Sequence, residues 1–70
     1  MGEKVIMYVL QSCPTCAKAR LALKREGVDL EERDVGKSQE WLDEARRLGT
    51  AVPIIVRGGR VQQGFGGEEG

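Results

Sequence analysis

Cys13 and Cys16 are the two cysteines of this chain, set three positions apart in the stretch "VLQSCPTCAKAR", between an apolar run and a segment that reads as a helix. Two thiols at that spacing can exchange electrons through a shared disulfide, share a metal ion, or simply fill space. As a staple the pair is poor, because so small a closed loop is worth only about 2 kcal/mol through chain entropy. Exchange chemistry needs one thiol ionised near neutral pH, and the neighbouring residues supply the means. Proline suits the first helical position, where its missing N–H would be unpaired anyway, so Pro14 makes Cys13 the N-cap residue. An N-cap side chain faces the free amides of the next turn, here those of Thr15 and Cys16, at the positive end of the helix dipole. The consequence is large. A thiol with a pKa near 8.5 is about 3% ionised at pH 7, whereas one shifted to roughly 6 is about 90% ionised. Cys16, one turn further in, should be more buried and less acidic, yet near enough to reach back. Cys13 is therefore read as the attacking thiol and Cys16 as the thiol that resolves the mixed disulfide.

The same C-x-x-C spacing is also half of a zinc site. Tetrahedral zinc takes four ligands and the chain offers two thiols, so a zinc site needs a second copy or carboxylates. A metal-binding Cu/Zn module or a cluster-bridged dimer is the alternative reading, with a plain binding module behind it. There is no histidine, which excludes Cys-His nucleophilic catalysis and His-ligated metals within this sequence.

Composition narrows the class further. At 70 residues the chain reads as one domain spanning residues 1–70, and a domain of that size buries only about 60% of its unfolded surface. A large enclosed active site is not expected. The formal net charge is zero and the signs are interspersed, so no basic stripe or polybasic patch points to nucleic acid or membrane. The apolar run Val5 to Leu10 is far too short to span a bilayer, and no secretory signal pattern opens the chain. The expectation is a soluble, cytoplasmic monomer with free thiols.

The elements that must position the thiols follow from pattern. "KVIMYVL", residues 4–10, is continuously apolar and β-branched, as in a strand covered on both faces. From Pro14 to about Glu26 a helix is predicted with Ala17, Leu21, Ala22 and Leu23 on its apolar face and Gly27 as its stop. Residues 28–35 read as a shorter, more exposed strand. Ser38 as N-cap and Glu40 in the first turn open a second helix, which Arg46, Arg47 and Gly49 close. Trp41, Leu42, Ala45 and Leu48 form its apolar face, with Trp41 read as core packing. A hairpin completes the pattern: Pro53 to Arg57, a Gly58-Gly59 turn, and Arg60 to about Gln63. The order is β-α-β-α-β-β, with the first two strands parallel. The glycine-rich end, with Glu68 and Glu69, is either a tail or the opening of a third helix.

Pro53 permits two readings. It trims the start of a strand, where a missing N–H does little harm, or the Val52-Pro53 bond is cis and turns the Val52 backbone outward as an edge for a bound peptide or thiol.

"CPTC" after the first strand, "AVP" before a hairpin and a glycine-rich stretch behind it together resemble the glutaredoxins. The likeness covers almost the whole chain. It implies an α/β, thioredoxin-like fold with a four-stranded mixed sheet in the order 2-1-3-4, the last helix here being short or missing. It implies a dithiol-disulfide oxidoreductase with Cys13 as nucleophile and Cys16 as resolving thiol. Substrate contacts fall on Pro14, Thr15, Val52, Pro53, Gly64 and Phe65, with Val52 and Pro53 forming the cis-proline pair and Gly64 approaching bound glutathione. Arg20 matches a position that is usually basic. The substrates implied are disulfide-containing proteins or small thiols, with no resident cofactor and no metal.

The departures bear on the electron donor. Glutathione-using members carry a lysine where this chain has Leu10 and an Asp pair where it has Gly66 and Gly67, and Thr15 replaces the usual aromatic between the cysteines. Two charged anchors are thus missing, which argues against glutathione. "GF" at Gly64 and Phe65 is similar to the glutaredoxin-like hydrogen donors of ribonucleotide reductase, which draw electrons from thioredoxin reductase. Copper-chaperone domains have similar length and a C-x-x-C after the first strand, but they need two strands between their helices. Here "SQEWLDEARRLG" follows only one.

Overall fold

A computed structural model describes residues 3–66. The expected order is found: β1 (Lys4–Val9), α1 (Pro14–Arg25), β2 (Asp29–Asp34), α2 (Gln39–Leu48), β3 (Ile54–Arg57) and β4 (Arg60–Gln63). The four strands form one sheet in the order β2-β1-β3-β4. β1 pairs with β2 in parallel and with β3 antiparallel, and β3 pairs with β4 antiparallel. The apolar run is thus central, as its lack of alternation demanded: Val5 and Met7 are fully buried, and Tyr8 and Val9 nearly so.

Register assigns the two faces of the sheet. Met7 lies beside Glu32 and Tyr8 beside Arg33, and neighbours in register point the same way while successive residues alternate. Glu32 accepts from Arg20 of α1, so Met7 faces α1. Arg33 donates to Glu44 of α2, so Tyr8 faces α2. One helix therefore covers each side of β1.

The α2 side is tied by a polar cluster. The Tyr8 hydroxyl donates to Glu44 Oε1 at 2.8 Å, and Arg33 Nη1 donates to the same carboxylate at 2.7 Å and to the Tyr8 oxygen at 3.2 Å. Desolvation pushes the Tyr8 pKa up, the bond to Glu44 adds to the rise, and the bond from Arg33 opposes it. The Arg33 guanidinium also binds Glu31 and holds that carboxyl below its usual range, with Lys4 assisting. These pairs explain how β2, "DLEERD", can be so polar: Glu31, Glu32 and Arg33 are half-buried and paired with Lys4 of β1, Arg20 of α1, Glu44 of α2 and each other, while Asp29 at the strand's start is exposed. Val28 and Val35, which the pattern placed in the strand, flank it instead.

The inward face of α1 differs from the one predicted. Thr15, Cys16, Ala19 and Leu23 are buried, whereas Ala17 is exposed and Leu21 is 55% exposed. Cys16, Ala19 and Leu23 follow the i, i+3, i+7 spacing of one helical face. Burial of Cys13 and Cys16 sets the phase of that face, and Leu21 falls outside it. On α2, Ala45 is buried and Trp41 and Leu42 pack half-buried against the core, but Leu48 lies at the exposed rim. Leu10, expected within the first strand, sits just past it and is 42% exposed. The β3–β4 turn uses Gly58 at φ 54° and Gly59 at φ 79°. Both angles are those of a two-residue hairpin turn that residues bearing a Cβ adopt poorly. Pro53 precedes β3 rather than opening it. The alternatives for the chain end, together with Gly67, Glu68 and Glu69, lie outside the described residues.

Candidate active site

The first turn of α1 carries the thiols as the sequence led us to expect. Cys13 is the N-cap, in extended conformation at φ −110° and ψ 104°, and Pro14 opens the helix. The Cys13 sulfur accepts from the Cys16 N–H at 3.0 Å. Of the two amides anticipated as donors, Cys16 supplies the bond. Cys13 and Cys16 are joined as a disulfide, their Cα atoms 5.1 Å apart, so the structure shows the oxidised state of the pair. No acidic residue lies in the first turn of α1, and Lys24 and Arg25 lie in its last. The positive end of the dipole is thus left uncompensated by any carboxylate of its own helix.

Exposure separates the two residues. Cys16 is fully buried and Cys13 is 8% exposed. Cys13 is more covered than an open nucleophile would be, but what surface the pair retains belongs to it.

Around the pair, Thr15 is 5% exposed at N2, and Pro14 lies exposed beside it. Arg20, one turn or so along, is not a free cation. Its Nε donates to both carboxylate oxygens of Glu32 at 2.8 Å, which raises its pKa further and braces α1 against β2.

The second half of the site comes from the loop before β3. The Val52-Pro53 peptide is cis, as the second of the two readings required of the bond itself. Pro53 is fully buried, Val52 is 9% exposed, and Val52 belongs to the same buried cluster as Cys13 and Cys16. Gly64, with φ 82°, donates its N–H to the Pro53 carbonyl at 2.8 Å, and Phe65 packs half-buried against the core. The end of β4 is thereby fastened to the proline loop. Cys13, Cys16 and Val52 are all part of the buried core, with Pro53 next to Val52 in the chain and Phe65 packed against that core. Pro14 and Thr15 lie in the first turn, and Gly64 sits on the proline loop. Gly66 lies exposed beyond it.

The sequence reading missed three residues here. The Gln63 side chain accepts from the Thr50 N–H at 2.7 Å, and Gly49 sits where any side chain would strike that oxygen. Nothing local in "VQQG" or "LGTAV" signals a bond between segments thirteen positions apart. Among the described residues, no cluster of three or more Cys, His, Asp or Glu side chains is placed to hold a metal ion.

A redox-active Cys-Pro-x-Cys pair at the head of α1, on a 2-1-3-4 sheet with a helix on each face, defines a thioredoxin-fold thiol-disulfide oxidoreductase. Comparison narrows the class. A family model described as Glutaredoxin matches residues 5–62. The solved structure of the glutaredoxin grx-1 from Archaeoglobus fulgidus is similar at 31% identity and a TM-score of 0.75, over 90% of this chain and 76% of that one. No curated protein matches in sequence. The chain belongs to the glutaredoxin family.

Proposed function

We propose that the protein reduces disulfides of proteins or small molecules by a dithiol mechanism with Cys13 as nucleophile and Cys16 as resolving thiol. In the reduced protein the Cys13 thiolate attacks one sulfur of the substrate disulfide. A Cys13–substrate disulfide forms, the substrate S–S bond breaks, and the first substrate thiolate leaves and takes a proton. Cys16 then loses its proton and attacks the Cys13 sulfur, forming the Cys13–Cys16 disulfide and releasing the second substrate thiol. Two electrons and two protons pass to the substrate. The observation that carries this reading is the Cys16 amide aimed at the Cys13 sulfur, at a helix mouth without its own carboxylate.

The substrate side is assigned to Pro14, Thr15, Val52, Pro53, Gly64 and Phe65. Among the described residues, neither the N–H nor the C=O of Val52 makes a backbone hydrogen bond outside the regular elements. An extended substrate segment can use them as a strand edge. Beside Val52, an open cleft of about 350 Å³ is lined by Leu10, Val35 and Leu42, with Arg46 at its rim. The apolar residues of this cleft suit a side chain of a polypeptide substrate, and the electron source is glutathione or thioredoxin reductase. A reducing compartment such as the cytoplasm matches this chemistry.

The test is direct. In Cys16→Ser, the mixed disulfide with a peptide substrate should accumulate and be seen by mass spectrometry on Cys13. Titration of the Cys13 thiol by alkylation rate should give a pKa well below 8.5; an ordinary value removes the thiolate argument. Reduction of the oxidised protein by glutathione, against reduction by thioredoxin reductase with NADPH, separates the two donors.

A further inference from the structure

The loop from Gly49 to Pro53 carries Val52, the residue assigned above to present substrate, and α2 ends at its start, so something must hold its middle. Two neighbouring residues at the end of β4 do so. Gly64 fixes the Pro53 carbonyl through its backbone N–H. Gln63 fixes the other side of the loop: its Oε1 accepts from the Thr50 N–H at 2.7 Å and, more weakly, from the Thr50 hydroxyl at 3.4 Å. The approach is so close that a β-carbon at Gly49 would collide with that oxygen, with Ile54 Cδ1 at 3.3 Å behind it. The Gly49 backbone is extended, at φ −174°, a conformation any residue adopts. Glycine is therefore needed at this position for space, and the space is occupied by the Gln63 amide.

We propose that Gln63 is a positioning residue for disulfide substrates: its side-chain oxygen latches the Thr50 amide and so holds Val52 at the angle at which an extended substrate pairs with it. The inference rests on the reading of Val52 as a substrate edge. Gln63 and Thr50 are both exposed, so losing the bond leaves no buried polar group unpaired and the fold survives it. What the latch restricts is the freedom of a short loop. Its loss should appear in substrate binding, while the thiolate at the head of α1 is untouched.

The experiment compares Gln63→Met, which keeps length and removes the acceptor, with Gln63→Glu, which keeps an acceptor oxygen. The assay is reduction of a disulfide-bonded synthetic peptide with dithiothreitol as terminal reductant. Gln63→Met should raise KM about five-fold, the size of one hydrogen bond's net effect, with kcat and the iodoacetamide rate at Cys13 unchanged. Gln63→Glu should restore the wild-type KM. Gly49→Ala should copy Gln63→Met, because the new methyl displaces a flexible side-chain end rather than the backbone, and the double variant Gly49→Ala/Gln63→Met should be no worse than either single one. An unchanged KM in Gln63→Met overturns the latch, as does failure of Gln63→Glu to rescue or full additivity of the pair. The underlying reading fails separately, if the wild-type protein does not reduce the peptide or if Cys13→Ser still does.

Discussion

The two helices begin with the same device and use it for opposite ends. Ser38 caps α2 by accepting from the Trp41 N–H at 3.3 Å, and Cys13 caps α1 by accepting from the Cys16 N–H at 3.0 Å. At α2 the dipole is already met by Glu40 in the first turn and by Arg46 and Arg47 in the last. At α1 the basic residues are present at the far end, but the first turn carries no acid. In the function proposed above, the anion that α1 lacks is supplied by the Cys13 thiolate of the reduced protein. A cap whose helix supplies its own carboxylate is structural, while a cap whose helix lacks one stabilises any negative charge placed on the cap itself. Sulfur at that position makes the charge available for exchange.

The largest effect that would sharpen this contrast is Cys13→Ser. The hydroxyl can still cap α1, so the variant should fold, but it should lose about 1 kcal/mol at pH 7 relative to the reduced wild type, the stability linked to a depressed thiol pKa, and disulfide reduction should be abolished. Residual turnover would mean that the sulfur is not the nucleophile. The converse change, Ser38→Ala, should cost about 1 kcal/mol in denaturant unfolding and leave peptide reduction intact. A loss of activity there would break the separation of the two caps. Giving α1 the acid it lacks is a gentler probe. In Ala17→Glu, at an exposed position one turn inside the helix, the added charge should raise the Cys13 thiol pKa and slow its alkylation about two-fold at pH values below that pKa.

The smallest effect concerns the α2 side alone. The folded-state pKa of Tyr8 lies above its unfolded value of 10.0. The stability linked to this group is therefore fully present below pH 10 and lost as pH rises through the folded-state value. Tyr8→Phe should flatten that alkaline decline in a pH series of thermal midpoints, without moving the Cys13 alkylation profile.

Much of the site could be read from neighbours in the chain. Pro14 after Cys13, Ser38 before an apolar stripe and Gly58-Gly59 between two short strands each act within a few residues, and each was found where its local chemistry put it. The phase of α1 could not be read that way. Alanines and leucines lie on both sides of that helix, so periodicity offered Leu21 as readily as Ala19, and only docking of the Cys13–Cys16 turn into the core chose between them.

By itself the sequence determined the order of elements, the caps and the placement of a thiol at a helix mouth, because turn, cap and strand preferences are settled over distances of three or four residues. The tertiary structure decided which face of α1 turns inward, that the Val52-Pro53 bond is cis, how the charges of β2 are paired, and that Gln63 reaches Thr50. Those features depend on surfaces that meet only when β1 lies between β2 and β3, and a bond between segments far apart in the chain leaves no periodic trace in either of them.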